Sequence, residues 1–324
     1  MSFYKNKKIL ITGGTGMIGY SLTKSLIKEN CKITVVSLDK KFHKFKGVNY
    51  KTYDLRNFKN CLKLCKNKDI VFHLAGIKGS PVMATKKPAS FFVPLILLNT
   101  NLLEAARVCG VKNLLYTSSI GVYSPSKKFI EDRMWEKNPS KNDKYAGWAK
   151  RMGELQIEAY QKEYNLNYVI VRPANIYGPF DNFDPSNAMV IPSLINKANF
   201  AKYEFDVFGD GSEIRDFLYS DDCAEGIKLA LRKKIKKPIN LGSGKKVSIK
   251  KIVNIIKNNS KKIIKINWIK NKKAGDKIRL MDIKRAKSIG FKPKVTIEKG
   301  IINTMNWFSE NNNFHNKKYN AFKK

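Results

Sequence analysis

The chain has 324 residues, of which 43% are hydrophobic and 11% aromatic, and this is enough for one large globular domain or two with buried cores. Its formal net charge of +37 would suit a polyanionic partner. The lysines are, however, spread along the whole chain without a basic motif interleaved with aromatic residues, so we interpret the charge as a solvated surface. We therefore expect no nucleic-acid partner.

Neither a membrane segment nor a metal site is predicted. The longest strongly apolar run, residues 91–98, contains Pro94 and is too short to span a bilayer. No cleavable apolar segment precedes the strand that begins by Lys8, so we expect a cytoplasmic protein. Cys61 and Cys65 lie one helical turn apart, but the five cysteines include no second pair that would complete a zinc site. We expect free thiols and no metal.

A strand, a glycine cluster and a helix stand near the start of the chain. Residues 8–12 predict a buried strand, and Met17–Glu29 predict the helix. Gly13 permits the sharp turn, Gly16 lets a diphosphate approach the backbone, and Gly19 lets the helix lie close to the strand. Backbone N–H groups and the positive end of the helix dipole both face an anion at such a turn. The predicted dinucleotide-binding residues here are Gly13, Thr15, Gly16, Met17, Ile18 and Gly19.

A second buried strand is predicted at Ile33–Ser37, and an acidic residue follows it. Asp39 lies 20 residues after Gly19, where a carboxylate accepts hydrogen bonds from the adenosine ribose hydroxyls. A carboxylate there repels a 2′-phosphate, which favours NAD over NADP, although Lys40 and Lys41 act against this preference. The alternative is that Asp39 is only a turn residue at a strand end.

Strands and helices alternate through the next part of the chain. Strands are predicted at 48–53, 69–74, 113–118 and 168–172, and helices at 58–66, 88–109 and 152–164. This alternation predicts an α/β fold with a Rossmann-type doubly wound parallel sheet, whose ligands lie at the carboxyl ends of the strands. The residues at those ends that we expect to contact the cofactor are Asp54, Leu55, Leu74, Ala75 and Gly76.

The pattern changes after Pro173, where glycine- and proline-bearing loops and shorter strands begin. We predict a Rossmann domain over residues 1–172 and a smaller mixed α/β substrate domain over 173–310, some segments of which return to the Rossmann sheet. Helices are predicted at 222–233, 249–258 and 295–308. Residues 311–324 are polar and rich in lysine, and we expect them to be frayed.

Several motifs together resemble the extended short-chain dehydrogenase/reductases, the nucleotide-sugar epimerase/dehydratase family, and within it the GDP-fucose synthase-like members. The resemblance covers about residues 7 to 309. The motifs beyond the opening glycine turn are Thr117–Tyr123, Tyr145–Glu154, Arg172–Pro179, Asp181–Pro192 and Gly209–Asp222.

The resemblance implies three catalytic residues, one of which is displaced here. Ser119 matches the residue that binds the sugar C4 oxygen, and Lys150 matches the lysine that holds the nicotinamide ribose and lowers the pKa of a tyrosine acid–base. That tyrosine stands four residues before the lysine, where this chain has Ala146, and Tyr145 is five residues before it. Five residues turn a helix by about 500°, which points Tyr145 away from the face of Lys150.

Three interpretations of this displacement remain open. A bulge or a helix start at Ala146 would let Tyr145 swing in, another group such as substrate or water held by Ser119 would replace it, or the site is impaired. We favour an active enzyme with Tyr145 as the acid–base.

The resemblance also implies a binding site for cofactor and substrate in the second half. Pro173 and Asn175 match cofactor-binding positions, and the residues expected to bind the nucleotide diphosphate, besides Ser119 at the sugar, are Asn175, Val190, Lys197, Arg215 and Arg279. Cations suit a diphosphate, with which arginine pairs in bidentate fashion. The Asp181–Pro192 loop favours a GDP-sugar, and two long helices, about 88–109 and 147–164, would form a homodimer in this family.

The expected function is hydride transfer at one sugar carbon. GDP-fucose synthase uses a cysteine and a histidine to move protons at C3 and C5, where this chain has Gly121 and Met189. We therefore predict an NAD-dependent nucleotide-sugar 4-epimerase or a related C4 oxidoreductase. The alternatives are an NADP(H)-dependent 4-keto-sugar-nucleotide reductase without 3,5-epimerase activity, and a non-catalytic member that binds nucleotide or RNA.

Overall fold

The computed structural model describes residues 2–40, 42–77, 79, 81–270, 276–312, 319–320 and 322, with the backbone alone at 81, 82 and 84. Within these residues the strands are β1 (Lys8–Thr12), β2 (Lys32–Val36), β3 (Asn49–Lys51), β4 (Ile70–His73), β5 (Asn113–Thr117), β6 (Asn167–Pro173), β7 (Asn175–Tyr177), β8 (Glu204–Phe208), β9 (Ile214–Arg215), β10 (Phe217–Tyr219), β11 (Ile239–Leu241), β12 (Val247–Ser248), β13 (Lys265–Ile269) and β14 (Ile278–Arg279). The helices are α1 (Met17–Ile27), α2 (Phe58–Cys65), α3 (Pro81–Lys86), α4 (Pro88–Val108), α5 (Lys144–Tyr164), α6 (Val190–Phe200), α7 (Ser220–Arg232), α8 (Ile249–Asn258), α9 (Lys284–Ser288) and α10 (Ile297–Glu310).

Seven parallel strands form the central sheet, in the order β11-β6-β5-β4-β1-β2-β3. Residues 9–11 of β1 and 70–73 of β4 are almost fully buried, as expected for strands covered by helices on both faces. The order reverses between β1 and β4, which places their carboxyl ends at the crevice where α/β sheets bind ligands. The predicted Rossmann-type doubly wound sheet is confirmed.

Helices cover the two faces of this sheet. Helices α1 and α7 pack together on one face, and α2, α4 and α5 pack side by side on the other. Each face has its own cluster of buried apolar side chains, which supplies most of the favourable free energy of folding. Because α7 and β11 pack with this unit, residues 220–241 belong to the sheet domain.

A second, smaller core lies beyond β6. It is built from α6, α8 and α10 against short strands, in the pairs β7–β10 and β8–β13 and in the three-stranded group β12-β9-β14. These strands are two to five residues long, which matches the irregular spacing of the sequence there. The predicted boundary at residue 172 falls at the end of β6.

Two predictions of secondary structure need correction. Helix α5 begins at Lys144, eight residues before the predicted start, because Gly147 lets the helix backbone pack against the carbonyl of Gly121 and against Pro139. Of the predicted frayed segment 311–324, residues 313–318, 321, 323 and 324 lie outside the described residues. Phe322 is not frayed, since only 8% of it is exposed.

Helix α4 is long and apolar enough to cross a membrane by length and composition alone. It packs against α2 and α5, and the buried core helix of a globular protein commonly meets the same criterion. All five cysteines are free thiols. Among the described residues, no group of three or more His, Cys, Asp or Glu side chains could hold a metal ion.

Candidate functional site

The glycine turn between β1 and α1 has the geometry of a dinucleotide cradle. Gly13 has a φ of +66°, and a β-carbon there would lie 2.9 Å from the backbone of Ala75. A β-carbon on Gly19 would lie 2.4 Å from the carbonyl oxygen of Gly13, so only glycine lets the helix approach the turn this closely. A β-carbon added at Gly16 would approach only the Gly13 carbonyl oxygen, at 3.3 Å. The turn therefore leaves room for a diphosphate at the amino end of α1.

Asp39 lies beside this cradle and is held by its neighbours. The Thr15 hydroxyl donates to Oδ2 of Asp39 over 2.6 Å, and the Asp39 amide donates to the Ser37 hydroxyl over 3.1 Å. The structure thus places Asp39 and the glycine turn together, and a carboxylate fixed there suits ribose hydroxyls. The residues of the cradle fit the adenosine half of a nicotinamide dinucleotide.

Asp54, which follows β3, does not present a free carboxylate to a cofactor. The Arg56 guanidinium donates from Nε to both oxygens of Asp54, at 3.0 and 2.9 Å, and holds the pKa of that carboxyl below its usual range. Leu55 is buried in the core under α2 and α4. The sequence analysis did not single out Arg56.

A buried histidine fixes the loop after β4. The Ala75 amide donates to the Thr12 hydroxyl, which lies 2.8 Å from Nδ1 of His73, while Nε2 of His73 lies 3.0 Å from Oδ1 of Asn99. The carbonyl of Asn99 requires a proton on Nε2, so Nδ1 accepts from Thr12. Burial lowers the pKa of His73 to about 3, which keeps the ring neutral. His73 therefore positions the predicted cofactor contacts Leu74, Ala75 and Gly76 and is not itself exposed to a ligand.

Lys150 and Ser119 both lie at the carboxyl end of β5. Nζ of Lys150 donates to the carbonyl of Thr117 over 2.8 Å and lies close to Gly76, where an added β-carbon would be 3.7 Å away. Burial lowers the pKa of Lys150 to about 8, while the nearby Glu154 carboxylate raises it. The Ser119 hydroxyl accepts from the Gly121 amide over 3.0 Å. The two predicted catalytic residues are thus brought to the same edge of the sheet as the cradle.

Tyr145 lies within the first turn of α5, which begins before it. Its ring is 38% exposed and lies edge-on to Phe92 of α4, with 6.3 Å between the ring centroids. Because the helix includes Lys144 and Tyr145, the interpretation in which it starts at Ala146 does not hold. The assignment of Tyr145 as the acid–base stays a prediction.

A carboxylate that the sequence analysis missed lies beside Ser119. Oδ2 of Asp143 accepts from Nη2 of Arg279 over 2.9 Å. A β-carbon placed on Gly121 would lie 3.3 Å from Oδ1 of Asp143 and 3.4 Å from Oγ of Ser119. Asp143 therefore fills the space in which residue 121 would carry a proton-transfer side chain. Its spacing of seven residues from Lys150, two helical turns, is the signal that could have identified it.

The two predicted arginines lie side by side in adjacent strands. Arg215 of β9 and Arg279 of β14 are register partners, and each is partly buried. Burial lowers the pKa of the Arg215 guanidinium, and the positive charge of Arg279 lowers it further. Through Asp143, Arg279 also connects this pair to Ser119. Two neighbouring guanidinium groups in a partly buried place suit a dianionic ligand.

The remaining predicted residues have contacts inside the second core. Nδ2 of Asn175 donates to the Asp216 carbonyl over 2.9 Å, and Pro173 ends β6 two residues before Asn175. Val190 begins α6 and is 39% exposed. Nζ of Lys197 donates to the Asp206 carbonyl over 2.7 Å. Their roles in binding stay predictions.

A buried ion pair supports the site from behind. Glu154 of α5 accepts from Arg172 of β6, with Nη2 to Oε2 at 2.6 Å, and both side chains are at most 2% exposed. The Ser118 hydroxyl also donates to Glu154, and Nη1 of Arg172 donates to the Tyr123 hydroxyl over 2.9 Å. The pair joins the helix that carries Lys150 to the strand end that carries Ser119.

Comparison with known proteins places this geometry in a family. The model of the NAD dependent epimerase/dehydratase family matches residues 9–242. The chain is 28% identical to a GDP-L-fucose synthase of Sinorhizobium fredii over 96% of this chain and 98% of that protein, and 32% identical to a UDP-glucuronate 4-epimerase of Thermodesulfobacterium geofontis over 93% and 96%. It superposes on an epimerase of Methanothermobacter thermautotrophicus with a TM-score of 0.87 at 25% identity, covering 97% of this chain and 95% of that one. The chain belongs to the NAD dependent epimerase/dehydratase family.

Proposed function

We propose that this protein is a nucleotide-sugar C4 oxidoreductase, most simply an NAD-dependent 4-epimerase that acts on a GDP-sugar. The observation that carries the proposal is the side-by-side pair Arg215 and Arg279, in which Arg279 pairs with Asp143 beside Ser119. A nucleotide diphosphate on the arginines would leave its sugar near Ser119. The similarity to GDP-L-fucose synthase supports the guanine nucleotide, and the similarity to UDP-glucuronate 4-epimerase supports chemistry at C4.

The residues of the site divide the chemical work. A nicotinamide dinucleotide, when bound, supplies the acceptor and donor of a hydride. Gly13, Gly16 and Asp39 would hold its adenosine diphosphate half, and Lys150 its nicotinamide ribose. Ser119 would hold the sugar oxygen by a hydrogen bond. The proton of that oxygen needs an acid–base, for which Tyr145 is our prediction and Asp143 the alternative that the geometry offers.

Loss of one arginine of the pair should weaken nucleotide recognition. For Arg279→Ala we expect the Kd for GDP to rise by about 10- to 100-fold, because a charge-assisted bond to a diphosphate contributes about 1.5–3 kcal/mol. The measurement is isothermal titration calorimetry with GDP, preceded by a thermal-shift panel of GDP-, UDP-, CDP- and dTDP-sugars to identify the substrate class.

The matched control is Arg285→Ala, an arginine that pairs with the exposed Asp132. It should leave the Kd for GDP unchanged. If no sugar nucleotide raises the melting temperature while heparin binds tightly in physiological salt, the protein is instead a polyanion-binding member of the family.

The cofactor preference should follow from the fixed carboxylate. We expect purified protein to bind NAD more tightly than NADP, because Asp39 repels a 2′-phosphate. In Asp39→Ser, the Kd values for NAD and NADP should lie within about tenfold of each other. Dinucleotide fluorescence titration measures both Kd values. Tighter binding and turnover of NADPH by the unsubstituted protein would support the 4-keto-sugar reductase in place of the epimerase.

A homodimer is proposed through α4 and α5. Both helices expose large apolar side chains, namely Val93, Leu97 and Leu155, at 50%, 43% and 48%. Leu155→Glu should shift the protein to a monomer in analytical ultracentrifugation, because an unpaired charge in an apolar interface is costly. The control Ile263→Glu, at a residue that is 97% exposed, should not. A wild-type monomer at micromolar concentration would refute the dimer.

A further inference from the structure

Tyr319 lies against the adenosine end of the predicted cofactor cleft, although it is far away from Asp39 in sequence. The backbone N–H of Tyr319 donates to Oδ1 of Asp39 over 2.7 Å. The other oxygen of the same carboxylate already accepts from Thr15. Both oxygens of the predicted ribose-binding group are therefore engaged within the protein itself.

The phenol of Tyr319 extends this contact. It lies close to the Arg56 guanidinium, which holds the Asp54 carboxylate, and together with Asp54 it raises the pKa of that guanidinium. Asp39 and Asp54 follow the adjacent strands β2 and β3, and these are the two acidic positions that the sequence analysis assigned to the cofactor. One residue of the chain thus reaches both of them.

Phe322 anchors the segment. Its ring is 8% exposed and lies 5.5 Å from the Phe91 ring, in the apolar cluster beneath α4. Its carbonyl accepts from Nζ of Lys87 over 2.9 Å, and its amide donates to the Asn320 side chain over 2.9 Å. A buried aromatic ring removes a large apolar surface from water, so hydrophobic packing of Phe322 holds the segment in addition to the hydrogen bonds.

Helix α10 ends at Glu310, and nine residue steps to Tyr319 can span up to about 30 Å. A ribose hydroxyl that bonds Oδ1 of Asp39 would approach the oxygen to which the Tyr319 N–H already donates, so the dinucleotide and Tyr319 compete for this oxygen.

We propose that the segment that carries Tyr319, Asn320 and Phe322 is autoinhibitory: it occupies the adenosine end of the proposed cofactor cleft and must leave before a dinucleotide binds. The inference rests on the proposed cofactor site and not on the identity of the sugar substrate. The apparent affinity for the cofactor is then reduced by the fraction of molecules in which the segment is bound.

Binding of NAD⁺ to nucleotide-free protein tests this directly. We expect the chain ending at Glu310 to bind NAD⁺ about tenfold or more tightly than the full chain, which corresponds to ~1.4 kcal/mol. Tyr319→Pro, which removes the donating N–H and the phenol beside Arg56 but keeps the Phe322 anchor, should tighten binding in the same direction. A synthetic peptide of residues 311–324 added to the shortened chain should raise its Kd for NAD⁺ competitively. The matched control Tyr203→Ala replaces a tyrosine that is 79% exposed in the other core and should change nothing.

Two results would overturn the inference. Equal Kd values for the full and shortened chains would show that the segment does not compete, and weaker binding by both the shortened chain and Tyr319→Pro would show that it holds the cofactor in place. Failure of the proposed function would look different, because NAD⁺ would still bind and respond to the truncation while no sugar nucleotide was converted.

Discussion

Lys150→Met is expected to lower turnover by about 10²–10⁴-fold, the range that a positioned acid–base system contributes to an enzyme. Nζ of Lys150 is held at the end of β5 by the Thr117 carbonyl and lies beside Gly76, where the nicotinamide ribose is expected. Methionine keeps the length and the apolar stem of the side chain but removes the ammonium. The measurement is kcat with the sugar nucleotide that the thermal-shift panel identifies, together with the Kd for NAD⁺.

The pH dependence gives this prediction a second readout. With the pKa of Lys150 lowered to about 8, its charge is lost as the pH rises through 8, and kcat should fall there in the unsubstituted enzyme but not in Lys150→Met. Between about pH 8 and 10.4 the unfolded chain binds a proton at this residue that the folded chain does not, so this lysine makes stability rise with pH in that window. Near neutral pH the folded state therefore bears a cost for the buried charge. Lost activity in Lys150→Met should then not reflect unfolding.

Two conservative variants identify the group that moves the proton. If Tyr145 is the acid–base, Tyr145→Phe should lose about 10²–10⁴-fold in kcat and Asp143→Asn much less. If Asp143 is the acid–base instead, Asp143→Asn should lose about 10²–10⁴-fold in kcat and Tyr145→Phe much less. Asparagine keeps a hydrogen-bond acceptor for Arg279, so this loss would report the missing carboxylate and not a lost contact. An unchanged rate in Tyr145→Phe removes that residue from the mechanism. Unchanged rates in both variants would assign the proton to substrate or to water held by Ser119.

Local chemistry explains why the geometry of the glycine turn and the position of Asp39 beside it could be predicted from the sequence. The glycines at 13, 16 and 19 act through backbone geometry that is fixed within a few residues, and Asp39 follows from the regular length of one strand–helix–strand unit. The parallel sheet likewise follows from the alternation of short apolar runs with helices, and the structure confirms it.

The site residues in the second half of the chain were predicted from the family resemblance and not from local sequence patterns. Arg215 and Arg279 stand on short strands separated by a helix-containing stretch, and no local pattern indicates that these strands pair in register. Asp143 was missed because the helix was predicted to begin after it, although its seven-residue spacing from Lys150 places it on the same face once α5 is seen to start at Lys144.

Long-range contacts lay beyond a sequence-based prediction. The bond between Tyr319 and Asp39 joins residues 280 positions apart, and a polar lysine-rich segment gives no sign that Phe322 is buried. Glu154 and Arg172 lie within the sequence motifs, but their pairing could not be predicted, because it depends on how α5 lies across β6.

Glu154→Ala is expected to lower the free energy of unfolding by about 3–5 kcal/mol, one of the largest effects of any single substitution in this chain. The Arg172 guanidinium is 1% exposed, and its Nε and Nη2 groups both donate to Glu154. Removing the carboxylate leaves a buried positive charge without its counter-charge and the Ser118 hydroxyl without its acceptor. Urea unfolding followed by circular dichroism measures the loss.

The surface pair Arg133–Glu136 supplies the control, because its side chains are 69% and 60% exposed. Glu136→Ala should cost less than about 1 kcal/mol. Replacing both partners of the buried pair, as in Glu154→Leu with Arg172→Met, should recover much of the stability lost in Glu154→Ala, since no buried charge remains. We expect this double variant to stay impaired in turnover, because Ser118 then loses the bond that ties the Ser119 strand end to the helix of Lys150. A double variant with full activity would show that the pair stabilises the fold without positioning the site.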